Sequence, residues 1–311
     1  MYNLCHEPEG TQDPPLPCLD NFNFKVIDRL IEENDKSIFG AIFEYKGESL
    51  PNIPLPQFVI AFRGTKLDSQ TWLEDIKLDA KCLVNTTHNS SRLQHAINYV
   101  REMVTSRASG ASVWLAGHSL GAAIALLAGK QMAKEGHFLG THLFNPPFCS
   151  DFIASLIKNE SVNFGIQLTK NVVKLTASRF GKDHQHQEAQ ANGAFDALSN
   201  WVPHIFVHPD DLICSAYIHY FQNRKKMLEI GFGKVEKVAA MKTMRMVLGM
   251  DSSSEAMHLL PSAILTINKV EFPQEGPCGK IRKKKLAHQL EQWWSPNSSY
   301  QSWDYKYDPP S

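Results

Sequence analysis

No C-x-x-C pair occurs in this chain; its six cysteines, Cys5, Cys18, Cys82, Cys149, Cys214 and Cys278, are dispersed over 311 residues. That spacing argues against a zinc site and supplies no disulfide framework, so reduced thiols are expected. Net charge is missing as well. Lys plus Arg total 32, as do Asp plus Glu, so no global field makes nucleic acid an expected partner. Met1 to Asp20 has neither a basic n-region nor an apolar h-region, so no secretory signal is expected and cytoplasmic residence is the default. The sequons at Asn85, Asn89, Asn159 and Asn297 carry no information without a secretory route. No internal repeat is evident. Gly110 to Gly129 lacks Asp, Glu, Lys and Arg and approaches the length of a membrane span. Gly117, His118, Ser119 and Gly121 interrupt its middle, with strand formers before them and helix formers after, so a span is rejected.

What is present is an ordinary globular composition, 43% hydrophobic and 21% charged, which fits one large α/β domain. Residues 1–23 read as a poorly ordered lead-in, 24–294 as the domain and 295–311 as a C-terminal tail. A short amphipathic helix is expected around Val26 to Glu33. Apolar, β-rich runs at Ser37 to Tyr45 and Gln57 to Phe62 read as paired strands. Leu93, Ile97, Val100 and Val104 recur at helical spacing over Ser91 to Arg107. Ser112 to Ala116, Thr141 to Asn145, Pro203 to His208 and, last, Ser262 to Val270 read as strands, with helices over Ala122 to Lys134 and Asp151 to Arg179. The alternation predicts a largely parallel central sheet with helices on both faces.

Two features are set aside as ordinary. The basic run Lys280, Arg282, Lys283, Lys284 and Lys285 reads as a solvated loop or helix start. His184, His186 and Glu188 lie in a Gln-containing polar segment that reads as a solvated loop rather than a metal site.

The chemistry centres on Gly117-His118-Ser119-Leu120-Gly121. A G-x-S-x-G segment between a strand and a helix is a nucleophile elbow: the serine sits on a strained turn, and glycines remove Cβ atoms that would strike the neighbouring strand and helix. The helix start also offers amides and the positive dipole end to a developing oxyanion. A serine hydroxyl needs a base within reach, and the base needs an orienting carboxylate. In such folds the chain order is nucleophile, acid, histidine. Val207-His208-Pro209-Asp210-Asp211-Leu212-Ile213 offers Asp211 first, with Asp210 in reserve as a residue that could instead cap the next turn. His288, in the aromatic-rich Ala287 to Trp294 segment after the final expected strand, is the base, with His258 in reserve. The oxyanion donors are the Leu120 amide and Thr65, which follows Phe62-Arg63-Gly64 at a strand end.

These residues carry a resemblance. Val59 to Thr65 (VIAFRGT), Trp72, Asp75 and GHSLGA at Gly117 to Ala122 are similar to the class 3 lipase family of α/β-hydrolases. Phe144-Asn145-Pro146-Pro147-Phe148, His258 to Ala263 and Ala287 to Trp294 look like the plant lipase-like proteins labelled GDSL esterase/lipase, although the serine here sits in GHSLG. The chain has Asn-Pro-Pro after the strand ending near Asn145, where class 3 lipases have a Gly and a Pro-Arg pair. The resemblance implies an α/β-hydrolase fold, Ser119 as nucleophile, Asp211 as acid, His288 as base, and Thr65 with Leu120 as oxyanion donors. It implies a serine ester hydrolase acting on acyl lipids or related esters, with no cofactor or metal and with a lipid surface as a conceivable contact. A non-catalytic interaction protein and an acyltransferase using the same triad are the rival readings. Residues 214–261, with Met241, Met244, Met246 and Met250, are expected to form a cap over the site.

Overall fold

The computed structural model describes residues 22–32, 36–48, 54–64, 91–107, 110–148, 197–229, 260–273 and 279–307. They build an eight-stranded sheet whose spatial order is the chain order: β1 Phe24–Ile31, β2 Ile38–Tyr45, β3 Phe58–Phe62, β4 Val113–His118, β5 Gly140–Phe144, β6 His204–Val207, β7 Ala263–Asn268 and β8 Tyr300–Tyr305. The five strands β3 to β7 pair in parallel. β1 and β2 extend one side and β8 the other, all antiparallel. The fold is therefore α/β with a mostly parallel central sheet.

Parallel neighbours require crossovers, and right-handed crossovers that advance in one direction across a sheet put their helices on one face. Accordingly α1, Ser91–Glu102, packs on α2, Leu120–Lys134, so that these helices share one face where the alternation predicts helices on both. On this face Ile42, Ile60 and Leu115 line up across β2 to β4, and Leu143, Ile205 and Leu265, two residues further along, across β5 to β7. They share one core with Leu93, Ile97 and Val100 of α1, with Ile124 and Leu126 of α2, and with Tyr217 and Phe221 of α3, Ala216–Glu229. α2 is buried nearly all round, as its Ala-rich, apolar sequence requires. The opposite face carries Trp114, His142, Phe144, His204 and Phe206 in successive ring contacts. Trp293, from a short 3-10 helix Leu290–Trp294 that follows α4, Gly279–His288, sits edge-on over Phe144 and Phe206. Among the described residues no helix is long and apolar enough to cross a membrane.

Three expectations are corrected. Val26 to Glu33 is not a helix: Phe24–Ile31 is edge strand β1, with Phe24, Val26 and Leu30 packed on the core and Asp28 paired with Arg107 at the surface. Ile27 and Ile31 occupy outward positions at 43% exposure each, and their spacing with Leu30 imitates a helical stripe. Irregular register near Ile27 and charged Lys25 and Arg29 fit an edge strand. The stretch read as a C-terminal tail contains β8, which completes the sheet, so β7 at Ala263–Asn268 is not the last strand. The helix expected over Asp151 to Arg179 and most of the Met-rich segment lie outside the described residues.

Candidate active site

The C-terminal ends of the parallel strands converge on one corner. β4 runs through His118 into Ser119, whose backbone at φ 54°, ψ −124° is a conformation a non-glycine residue adopts only when its surroundings enforce it. The enforcement is visible. Ser119 N–H donates to the Phe144 carbonyl at 3.0 Å, tying the elbow to β5. A Cβ on Gly117 would lie 2.3 Å from the Gly121 backbone, and one on Gly121 only 2.2 Å from the Phe62 carbonyl oxygen. Both glycines are thus required by close backbone approach, as the motif predicts. Leu120 opens α2, so its amide belongs to the first-turn donors that a helix leaves without intrahelical acceptors.

Ser119, Asp211 and His288 meet. Ser119 Oγ lies 2.9 Å from His288 Nε2, and His288 Nδ1 lies 2.8 Å from Asp211 Oδ2. All three residues are fully buried. An ionised carboxylate can only accept, so His288 carries its proton on Nδ1 and presents Nε2 as acceptor to the Ser119 hydroxyl. Asp211 follows β6, and its Oδ1 accepts from Ile213 N–H at 2.9 Å. Burial pushes this carboxyl upward, but His288 and donors from His288, Cys214 and Asn145 together hold it below the ordinary carboxylate range.

The reserve acid points elsewhere: Asp210 pairs with Lys283 Nζ at 2.8 Å. Thr65 and His258 lie outside the described residues. The chain leading to Thr65 does pass the elbow, since a Cβ on Gly64 would stand 2.6 Å from the His118 carbonyl oxygen and 3.3 Å from Ser119 Cβ.

Sequence reasoning missed how the base is held. His288 is the last residue of α4, whose final carbonyls lack intrahelical partners. His118 Nε2 donates to the His288 carbonyl at 2.7 Å, and Asn145 Nδ2 donates to that of Ala287 at 3.1 Å. Complete burial, reinforced by His288, lowers the His118 pKa to about 3, so its ring is neutral and can donate. The signal in the sequence was a polar residue where each strand finishes, His118 closing β4 and Asn145 just after β5. Among the described residues no cluster of Asp, Glu, His and Cys has the arrangement of a metal site.

Residues 24–138 match the family model described as Mbeg1-like. An Arabidopsis thaliana protein named GDSL esterase/lipase is 38% identical over 299 residues, which span 92% of this chain and 81% of that protein. The chain belongs to the same family as this Arabidopsis protein.

Proposed function

We propose that the protein is a serine carboxylester hydrolase of the α/β-hydrolase fold, related to the class 3 lipases, that cleaves acyl esters of lipids or kindred molecules. The single observation that carries this reading is the buried relay from Ser119 Oγ through His288 to Asp211, with both links under 3 Å. The relative's name, GDSL esterase/lipase, points to the same chemistry.

In the proposed mechanism Ser119 Oγ attacks the ester carbonyl while its proton passes to His288 Nε2. Asp211 holds the imidazole tautomer and stabilises the imidazolium without itself taking the proton. The oxyanion is met by the Leu120 amide at the start of α2 and by Thr65. Collapse of the tetrahedral intermediate breaks the bond to the alcohol, which leaves with the proton from His288. Water then gives a proton to His288 and attacks the acyl carbonyl, and the serine leaves with that proton, freeing the carboxylic acid. Burial makes each of these electrostatic contacts stronger than in water.

Labelling with a fluorophosphonate, together with hydrolysis of p-nitrophenyl esters of graded chain length, tests the reading. Wild type is expected to label and turn over, and Ser119→Ala to lose both while unfolding at the same denaturant concentration. Well-folded wild type that neither labels nor hydrolyses any of the esters would instead favour a non-catalytic interaction protein.

A further inference from the structure

Asn145 lies fully buried one residue beyond β5, with φ 49°, in the left-handed region that favours glycine. Asparagine tolerates that region better than most residues, yet glycine would meet the backbone requirement without introducing a polar side chain into the core. The side chain therefore needs its own explanation, and its contacts provide one. One amide group spans two parts of the relay. Nδ2 donates to Asp211 Oδ2 at 2.7 Å and to the Ala287 carbonyl at 3.1 Å, and Cys214 Sγ lies 3.7 Å away. Oδ1 accepts from the indole N–H of Trp293 at 2.8 Å.

An indole nitrogen can only donate, so Trp293 fixes which end of the amide is oxygen. A flipped Asn145 would set its carbonyl against the Asp211 carboxylate and its NH2 against the Trp293 donor. Both amide hydrogens are used, one on the acid and one on the residue preceding the base. Asp211 Oδ2 in turn receives three donors, from His288, Asn145 and the Cys214 thiol at 2.9 Å.

We propose that Asn145, oriented by Trp293, is a positioning residue that sets the Asp211 carboxylate and the C-terminus of α4 relative to each other, and so aims His288 at Ser119. Its own bonds do not depend on the hydrolase reading, but its effect on turnover rests on it. With Asn145 removed, the Asp211 carboxylate loses the donor that spans it and α4. The His288 Nδ1–H···Oδ2 bond lengthens, and His288 Nε2 leaves its line to the serine.

Asn145→Gly isolates the side chain, because glycine keeps the φ 49° backbone without strain. Trp293→Phe removes only the N–H and keeps a ring over Phe144 and Phe206. Two readouts are taken on each: the downfield proton resonance of His288 Nδ1–H, and kcat and KM for a p-nitrophenyl ester. The resonance is expected to move upfield in Asn145→Gly and by a smaller amount in Trp293→Phe. kcat is expected to fall on the order of 10- to 100-fold in Asn145→Gly, the scale on which small misplacements act, with KM within about twofold. A resonance unchanged in both folded variants overturns the proposal, as does an unchanged kcat in Asn145→Gly when wild-type turnover depends on Ser119. If the resonance moves but hydrolysis never depends on Ser119, the hydrolase reading fails and the positioning role stands. Should Asn145→Gly not fold, Trp293→Phe decides alone by the same resonance.

Discussion

Acid should unfold this protein partly through His118, and the size of that contribution can be worked out. In the unfolded chain an imidazole titrates near 6.5, whereas burial, reinforced by His288, lowers His118 to about 3 in the native state. Above pH 6.5 the ring is neutral in both states and contributes nothing to pH dependence. Below it the unfolded chain binds a proton that the native protein refuses, so stability falls as pH falls, by about 1.4 kcal/mol per pH unit, until about pH 3. At pH 5 that amounts to about 2 kcal/mol. Other histidines with lowered values, His142, His204 and His208, act in the same direction, so the His118 share must come from a difference. His118→Gln supplies one: its amide can still donate to the His288 carbonyl, but it does not titrate. Urea unfolding of wild type and variant at pH 7.5 and pH 5.0 gives a variant-minus-wild-type difference at each pH. The difference is expected to shift by about 2 kcal/mol in favour of the variant at pH 5.0. Equal differences at the two pH values would mean that His118 protonates in place, and the reasoning from burial would fall.

Gly121→Ala is expected to cost at least about 2 kcal/mol in urea unfolding, because the added Cβ meets the Phe62 carbonyl at 2.2 Å and the Arg63 carbonyl carbon at 2.7 Å, and backbone cannot step aside as a side chain can. By contrast Arg101→Ala is expected to cost no more than about 1 kcal/mol, although Arg101 holds both carboxylate oxygens of Glu135, at 2.6 and 3.0 Å. That pair lies at the surface, where water and side-chain entropy cancel most of the attraction. A thermal-melt series in rising salt should show the small Arg101 effect shrinking further.

The parts legible in the sequence were those with a local cause. The elbow could be read because G-x-S-x-G falls within five residues at a strand-to-helix junction, although Gly121 is demanded by the end of neighbouring β3 and only Gly117 by the turn itself. The parallel strands could be read because both of their faces meet apolar neighbours. β1 was misread because outward-facing Ile27 and Ile31 fill positions that an edge strand usually gives to polar residues. β8 was missed because YQSWDY is mostly exposed and holds no aliphatic side chain. Asp211 and His288, which the structure brings beside Ser119, were picked by chain order. The clamps on them, His118, Asn145 and Cys214, were not. His118 and Asn145 act across separations of 66 residues or more, which no short window of sequence displays. Cys214, only three residues from Asp211, reads as an ordinary core thiol until its donor contact is seen. Asp210 and Asp211 could be ranked from sequence, but it is the ion pair of Asp210 with Lys283 that separates their roles.

Because the sheet keeps chain order, the two longest connections between parallel neighbours, residues 145–203 and 208–262, leave and re-enter next to each other. Closing a loop costs free energy only as the logarithm of its length, about 0.6 kcal/mol for each doubling, less than burying one methylene returns. The candidate site takes Asn145 from the first residue of one of these connections and Asp211 from the fourth residue of the other. Apart from the buried residues that these connections send into the core, such as Trp201, Tyr217, Phe221 and Leu260, added length costs the sheet little. Relatives of this chain can therefore be regrafted between β5 and β7 to accept different molecules while the corner around Ser119 stays as it is.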